Sequence, residues 1–156
     1  MAGNLQDEIQ QTKPFTTLAT EALLALHLTS DRLASEATRI LKPWDLSPTQ
    51  YNVLRILRGA EPDGLACRGI GERMIQRDPD ITRLMDRLEK RGLVRRERDS
   101  KDRRVVITRI TQSGLELLDK LDGPVEEFNV RRLDHVGPEK LRMLIELLEL
   151  VRNTSQ

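Results

Sequence analysis

Between Asp80 and Lys90 the chain alternates two kinds of side chain. Ile81, Leu84, Met85 and Leu88 recur at i, i+3, i+4 and i+7, the spacing of one apolar helix face. The opposite face carries Asp80, Thr82, Arg83, Asp86, Arg87 and Lys90, a mixture of hydroxyl, carboxylate and cationic groups. Such a face suits hydrogen-bond readout of base edges. An arginine fork bonds guanine bidentately, a threonine bonds a base or touches a thymine methyl, and a carboxylate accepts from cytosine or orients an arginine. A second group of cations follows, Arg95, Arg96, Lys101, Arg103 and Arg104, with Ser100 and Asp102 among them. Their chemistry is phosphate binding, which brings salt dependence with it.

Other chemistries find little purchase. His27 and His135 lie in opposite terminal regions with no spaced acid or thiol, and no Gly-rich phosphate loop or metal-ligand cluster is present, so no enzyme, metal or cofactor is expected. Cys67 is the single cysteine, which excludes an internal disulfide and any paired-cysteine redox or metal site. Arg68 and Arg73 would favour its thiolate in a redox sensor; the plainer reading is a structural cysteine. Three carboxylates, Asp78, Asp80 and Asp86, sit near the cationic face. Asp78 is expected as a helix cap, whereas Asp80 has no evident base partner.

The elements that must hold these groups can be read from punctuation and period. A long helix, or two in sequence, is expected from about Pro14 to Leu41, broken by Lys42-Pro43-Trp44-Asp45. Ser47-Pro48-Thr49-Gln50 then has the form of a capping box with proline at the first helical position. The helix it opens would bury Tyr51, Val53, Leu54 and Leu57 and end near Gly59. A short helix over about Ala66 to Ile75 precedes the one that begins after Asp78 and stops at Gly92. Leu93 to Arg98 and Arg104 to Ile110 are rich in β-branched residues and read as the strands of a hairpin with a polar loop. Thr111 caps a further helix that Gly123-Pro124 should interrupt or kink, and a last helix over Pro138 to about Arg152 has Leu141, Leu144, Ile145, Leu148 and Val151 on one face.

The fold class expected is therefore mainly α with a small β-hairpin wing. A winged helix-turn-helix domain over 47–111 lies between helical regions over 1–46 and 112–156. In such an arrangement the second helix of the pair enters the major groove and the wing reaches the adjacent backbone or minor groove. Charge agrees with that division. The net charge is +1 over 156 residues, yet residues 68–109 hold 14 Lys/Arg against 8 Asp/Glu, with acidic excess on both sides. Composition, 38% hydrophobic and 3% aromatic, implies an aliphatic core. No apolar run is long enough for a membrane span, and Met1 to Thr12 lack the form of a signal peptide, so a cytoplasmic protein is expected.

The ordered stretch Asp80-Ile81-Thr82-Arg83-Leu84-Met85-Asp86-Arg87-Leu88-Glu89-Lys90-Arg91-Gly92-Leu93-Val94-Arg95-Arg96 resembles the MarR (multiple antibiotic resistance) family of regulators. Asp99-Ser100-Lys101-Asp102-Arg103-Arg104, Ile110-Thr111-Gln112-Ser113-Gly114 and Leu46-Ser47-Pro48-Thr49-Gln50-Tyr51-Asn52-Val53-Leu54 extend the match. The resemblance implies a transcriptional regulator, commonly a repressor, that binds double-stranded DNA at a palindromic operator as a homodimer held by its terminal helices. Two-fold symmetry would then place half-sites about 10 base pairs apart. It further implies that Asp102 and Arg104 shape the wing tip while Arg103 approaches DNA. The Leu-rich terminal segments independently offer more apolar surface than the central module can cover.

Many members of the family release DNA on binding a small aromatic or phenolic acid. His27, Trp44, Tyr51 and Arg55 could line such a pocket, since Trp44 and Tyr51 join apolar faces to polar tips and Arg55 can take a carboxylate; ordinary core or surface packing is the plainer reading of each. The alternative to a DNA-binding regulator is a winged helix that binds protein or acts as an antirepressor. It would present an apolar or acidic face in place of Thr82, Arg83 and Arg87.

Overall fold

The computed structural model describes residues 5–153; residues 1–4 and 154–156, the outermost parts of the two expected terminal regions, lie outside it. The chain forms two compact units, one up to Tyr51 and one from Asn52 onward. In the first, α1 (Leu5–Glu8) is tied to α2 (Leu18–Leu41) by an ion pair of 2.6 Å between Glu8 and Arg32. The Thr17 hydroxyl caps α2, accepting from the Thr20 N–H at 3.1 Å, so the helix begins four residues after Pro14 rather than at it. A 3-10 turn (Lys42–Trp44) ends it, and Asp45 adopts the left-handed conformation with φ +53. Ser47 and Gln50 then cap α3 (Pro48–Gly59) reciprocally: the Gln50 N–H donates to Ser47 Oγ at 3.1 Å and the Ser47 N–H to Gln50 Oε1 at 3.0 Å.

The second unit packs around Val53, Leu54 and Leu57 of α3, all fully buried, while Tyr51, expected with them, is only half-buried. Short β1 (Leu65–Ala66) runs into α4 (Cys67–Arg73), then α5 (Ile81–Lys90), β2 (Val94–Arg98), β3 (Val106–Ile110), α6 (Gln112–Leu133), a 3-10 turn (Asp134–Val136) and α7 (Pro138–Arg152). Ile70, Met85, Leu88, Leu118 and Leu121 complete the core. The expected hairpin is there, with Val94 opposite Ile110 and Arg98 opposite Val106, but it belongs to a three-stranded antiparallel sheet in the order β1-β3-β2. β1 is two residues long, too short for an alternating pattern to reveal. Gly64 leads into it at φ +71, and a Cβ there would stand 2.5 Å from the Thr108 carbonyl oxygen, so the close approach to β3 needs glycine.

Two local expectations are corrected. Asp80, not Asp78, is the N-cap of α5: its Oδ1 accepts from the Arg83 N–H at 3.2 Å, while Asp78 Oδ1 accepts from the Asp80 N–H at 2.8 Å and shapes the preceding turn. Gly123-Pro124 does not interrupt α6, which runs through it to Leu133. The carbonyl that Pro124 leaves without a donor is that of Lys120, on an exposed stretch open to solvent, while Leu118 and Leu121 hold the preceding turns in the core. Gly92 does end α5 as expected, at φ +70, with the Leu93 N–H reaching back to the Leu88 carbonyl at 3.0 Å.

Candidate nucleic-acid interface

α5 is positioned by burial of Leu84, Met85 and Leu88, which fixes its rotation and turns Thr82, Arg83, Asp86, Arg87 and Lys90 outward. Its start is set by the Asp80 cap and by the turn before it, where the Asn52 side chain of α3 accepts from the Ile75 N–H at 3.0 Å. Asp80 therefore has a structural task beside its place on the exposed face. Its other oxygen lies 4.0 Å from the Arg83 guanidinium, with 72% of the Arg83 side chain exposed, so the pairing constrains Arg83 weakly.

The wing is built by backbone bonds to aspartates. The Asp99 N–H donates to the Val105 carbonyl and the Val105 N–H to the Asp102 carbonyl, each at 2.9 Å, closing the loop. Asp102 Oδ1 accepts from the main-chain N–H of Arg104 at 2.9 Å. The contact between Asp102 and Arg104 thus runs through the backbone and leaves the Arg104 guanidinium outward. Ser100, Lys101, Arg103 and Arg104 are exposed, and the side-chain cations of Lys101, Arg103 and Arg104 pair with no carboxylate among the described residues. Arg95 pairs with Glu97 at 3.1 Å, and Glu97 also receives Arg109 at 3.2 Å.

Arg96 is placed differently. Its guanidinium turns back onto α5 and bonds Glu89 through Nε at 2.8 Å and Nη2 at 2.6 Å, with Asp86 accepting from the same Nη2. The Arg96 hydrogen bonds hold the Glu89 carboxyl below its ordinary pKa, against the opposing effect of partial burial, and keep Arg96 charged. Asp86 does orient an arginine, and that arginine is on β2. Nothing in the spacing of Glu89 and Arg96, seven residues apart across a helix end, announces this pairing; Asn52 and Arg109 were likewise invisible, since each acts on an element distant in sequence.

Cys67 opens α4 half-buried, and burial raises its thiol pKa, with the nearby Arg96 charge opposing. Arg68, one of the two cations that the redox reading would need beside the thiolate, is engaged with Glu72 at 2.9 Å. The candidate pocket residues are spread along the chain: His27 exposed on α2, Trp44 half-buried in the 3-10 turn, and Tyr51 and Arg55 four residues apart on α3. Among the described residues no group of three His, Cys, Asp or Glu could hold a metal ion, and no helix is long and apolar enough to cross a membrane.

A helix pair whose second member exposes hydroxyl and guanidinium groups beside a cationic hairpin defines the winged helix-turn-helix class of transcription regulators. The MarR family model matches residues 46–106. An uncharacterized HTH-type transcriptional regulator, YkoM of Bacillus subtilis, is 31% identical over 118 residues, 75% of each chain. A MarR transcription factor of Planctomyces limnophilus, solved as a crystal structure, is 44% identical with a TM-score of 0.68, over 88% of this chain and 99% of that one. The fold also matches MepR of S. aureus, solved as a complex with DNA, at 21% identity and TM-score 0.78, over 90% of this chain and all of that one. The chain belongs to the MarR family of transcription regulators.

Proposed function

We propose that this chain represses transcription by binding a palindromic operator in double-stranded DNA as a homodimer in the cytoplasm. The observation that carries the reading is the exposed face of α5, with Thr82, Arg83, Arg87 and Lys90, accompanied by a wing tip of Lys101, Arg103 and Arg104 whose cations are not neutralised by carboxylates. In this reading α5 enters the major groove, Arg83 and Arg87 meet base edges with Thr82 beside them, and the wing tip with Ser100 follows the backbone. The MepR complex supports it as a protein of the same fold on DNA. Functionally, residues 47–111 serve as the DNA-binding domain, and 1–46 and 112–156 as dimerisation regions.

A small aromatic or phenolic acid is the effector the family resemblance suggests, with His27, Trp44, Tyr51 and Arg55 as its candidate contacts. Titration with aromatic carboxylates should raise the melting temperature and weaken DNA binding; no change in either removes this part of the proposal.

The main test is a salt-controlled anisotropy titration against the DNA upstream of the protein's own gene, with a scrambled duplex as competitor. Binding that survives the competitor supports a specific regulator. Equal affinity for both duplexes sinks the operator-binding reading in favour of unspecific DNA binding, and affinity for neither points to a protein-binding winged helix or to a regulator that needs a cofactor or a distant operator.

A further inference from the structure

Arg96 belongs by residue type and position with the phosphate-binding cations, yet its surroundings set it apart from them. Only 26% of its side chain is exposed. Glu89 of α5 takes three of its donors, the main-chain N–H at 3.0 Å, Nε at 2.8 Å and Nη2 at 2.6 Å, and Asp86, nearly one turn earlier, shares Nη2. Two carboxylates around one guanidinium leave no net positive charge to offer a phosphate. Pulling Arg96 away to reach DNA would also strand Glu89 and Asp86 as unpaired anions beside the duplex.

The covalent link between the two elements is short. β2 follows α5 through Arg91, Gly92 and Leu93, and Gly92 sits in the left-handed region, where the chain turns sharply. The Arg96 cluster spans that turn from Glu89 on one side to β2 on the other. Both fork nitrogens converge on Glu89 Oε2, the main-chain N–H holds Oε1, and Nη2 is shared with Asp86, so the cluster opposes rotation as well as separation.

We infer that Arg96 is a positioning residue that, with Glu89 and Asp86, clamps the wing to α5 so that helix and wing tip meet DNA at a fixed offset. The clamp also neutralises Asp86 on the groove-facing surface, which removes the repulsion its exposed carboxylate would otherwise exert on phosphate. Its consequence for DNA rests on the operator-binding reading above; the clamp itself does not, and the two are measured separately.

Hydrogen exchange of the β2 and β3 amides in the free protein tests the clamp. Glu89→Gln keeps an acceptor for the Arg96 main-chain N–H but loses the charge that holds the fork. Arg96→Gln loses the fork from the other side. Each should speed wing exchange by about tenfold, and the double variant should go no further, since both remove one interaction. Unchanged exchange in both single variants overturns the clamp.

On DNA, both should lower the ratio of operator to random-duplex affinity by about tenfold while leaving the slope of log affinity against log salt unchanged. If Arg96 instead meets phosphate, Arg96→Gln will make that slope shallower by about one, and Glu89→Gln will tighten binding by freeing the cation. Arg96→Lys settles the same question if Arg96→Gln does not fold. A clamp needs the planar fork and is not restored by lysine, whereas a phosphate contact largely is. A wild-type protein with no operator preference, together with faster exchange in the variants, would overturn the DNA consequence with the reading it rests on and leave the clamp standing.

Discussion

Arg83 and Arg103 are both exposed arginines, but they differ in what holds them. Arg83 projects from a helix whose rotation is set by buried Leu84 and Met85, and its backbone N–H is fixed by Asp80. Such placement suits a directional bond to a base. Arg103 is exposed at a hairpin tip, a placement that suits a phosphate contact made whatever the sequence. Arg83→Ala should therefore cost about 1–3 kcal/mol on the operator and little on random DNA, whereas Arg103→Ala should weaken both and make the salt slope shallower by about one. Equal losses on both duplexes for both variants would refute this division.

Glu89 adds a pH dependence at the same scale. Its carboxyl titrates below the ordinary value of 4.5 because Arg96 bonds the charged form. A depressed folded pKa contributes stability that is fully present above the unfolded value and is lost as pH falls through the folded one. Melting temperatures of wild type and Glu89→Gln should accordingly differ above about pH 5 and converge as pH drops below 4.5. A gap that stays constant across that range would show that ionisation of Glu89 contributes nothing.

α5 is the element on which most depends, and its two ends and its buried face make separable contributions. Asp80→Ala removes the cap and should cost about 1 kcal/mol, while Asp78→Ala, which only loosens the turn, should cost less. Leu88 is fully buried, and Leu88→Ala should cost about 2–5 kcal/mol by leaving a cavity beside the core. Urea melts of the three variants check the order; a larger loss at Asp78 than at Asp80 would restore the cap the spacing first suggested. α3 is joined to α6 by the Arg58 fork on Asp122, at 2.8 and 2.9 Å, which holds the Asp122 carboxyl below its usual range. Helix periods, the Ser47 and Gln50 capping box, the Gly92 stop and the Thr111 cap were all legible beforehand, because each is decided within four or five residues. The choice between Asp78 and Asp80 was not. Both satisfy the cap chemistry, and the outcome turned on where packing of Ile81 and Leu84 starts the helix.

At the scale of the molecule, α7 stands out among the long helices because nothing on it is buried. Ile145 is 56% and Leu150 71% exposed, and Met143, Leu147 and Val151 extend the apolar surface. The tail of α6 adds Val130 and Leu133. Surface of this kind along the C-terminal helices is what a homodimer would cover. Sedimentation at micromolar concentration should give the mass of two chains. Ile145→Glu with Leu150→Glu should shift it towards one, without loss of helix content, and should abolish operator binding. A wild-type protein that sediments as one chain would remove the dimer from the proposal.

What the sequence determined by itself was local. The order of the longer helices and of the hairpin strands, the buried stripe of α5, the residues facing away from it and the cationic wing all follow from periods of two and 3.6 and from caps read within a few residues. The tertiary structure decided which distant groups meet. It laid Leu65 and Ala66 against Thr108 and Ile107, turned Arg96 onto Glu89 and Asp86, joined Arg58 to Asp122, and let α6 pass through Pro124. An arginine on a strand has the same propensity whether it faces solvent, phosphate or a carboxylate. Only the packing of β2 beside the end of α5 selects among those partners, so Arg96 read as one more phosphate cation until its neighbours were in place.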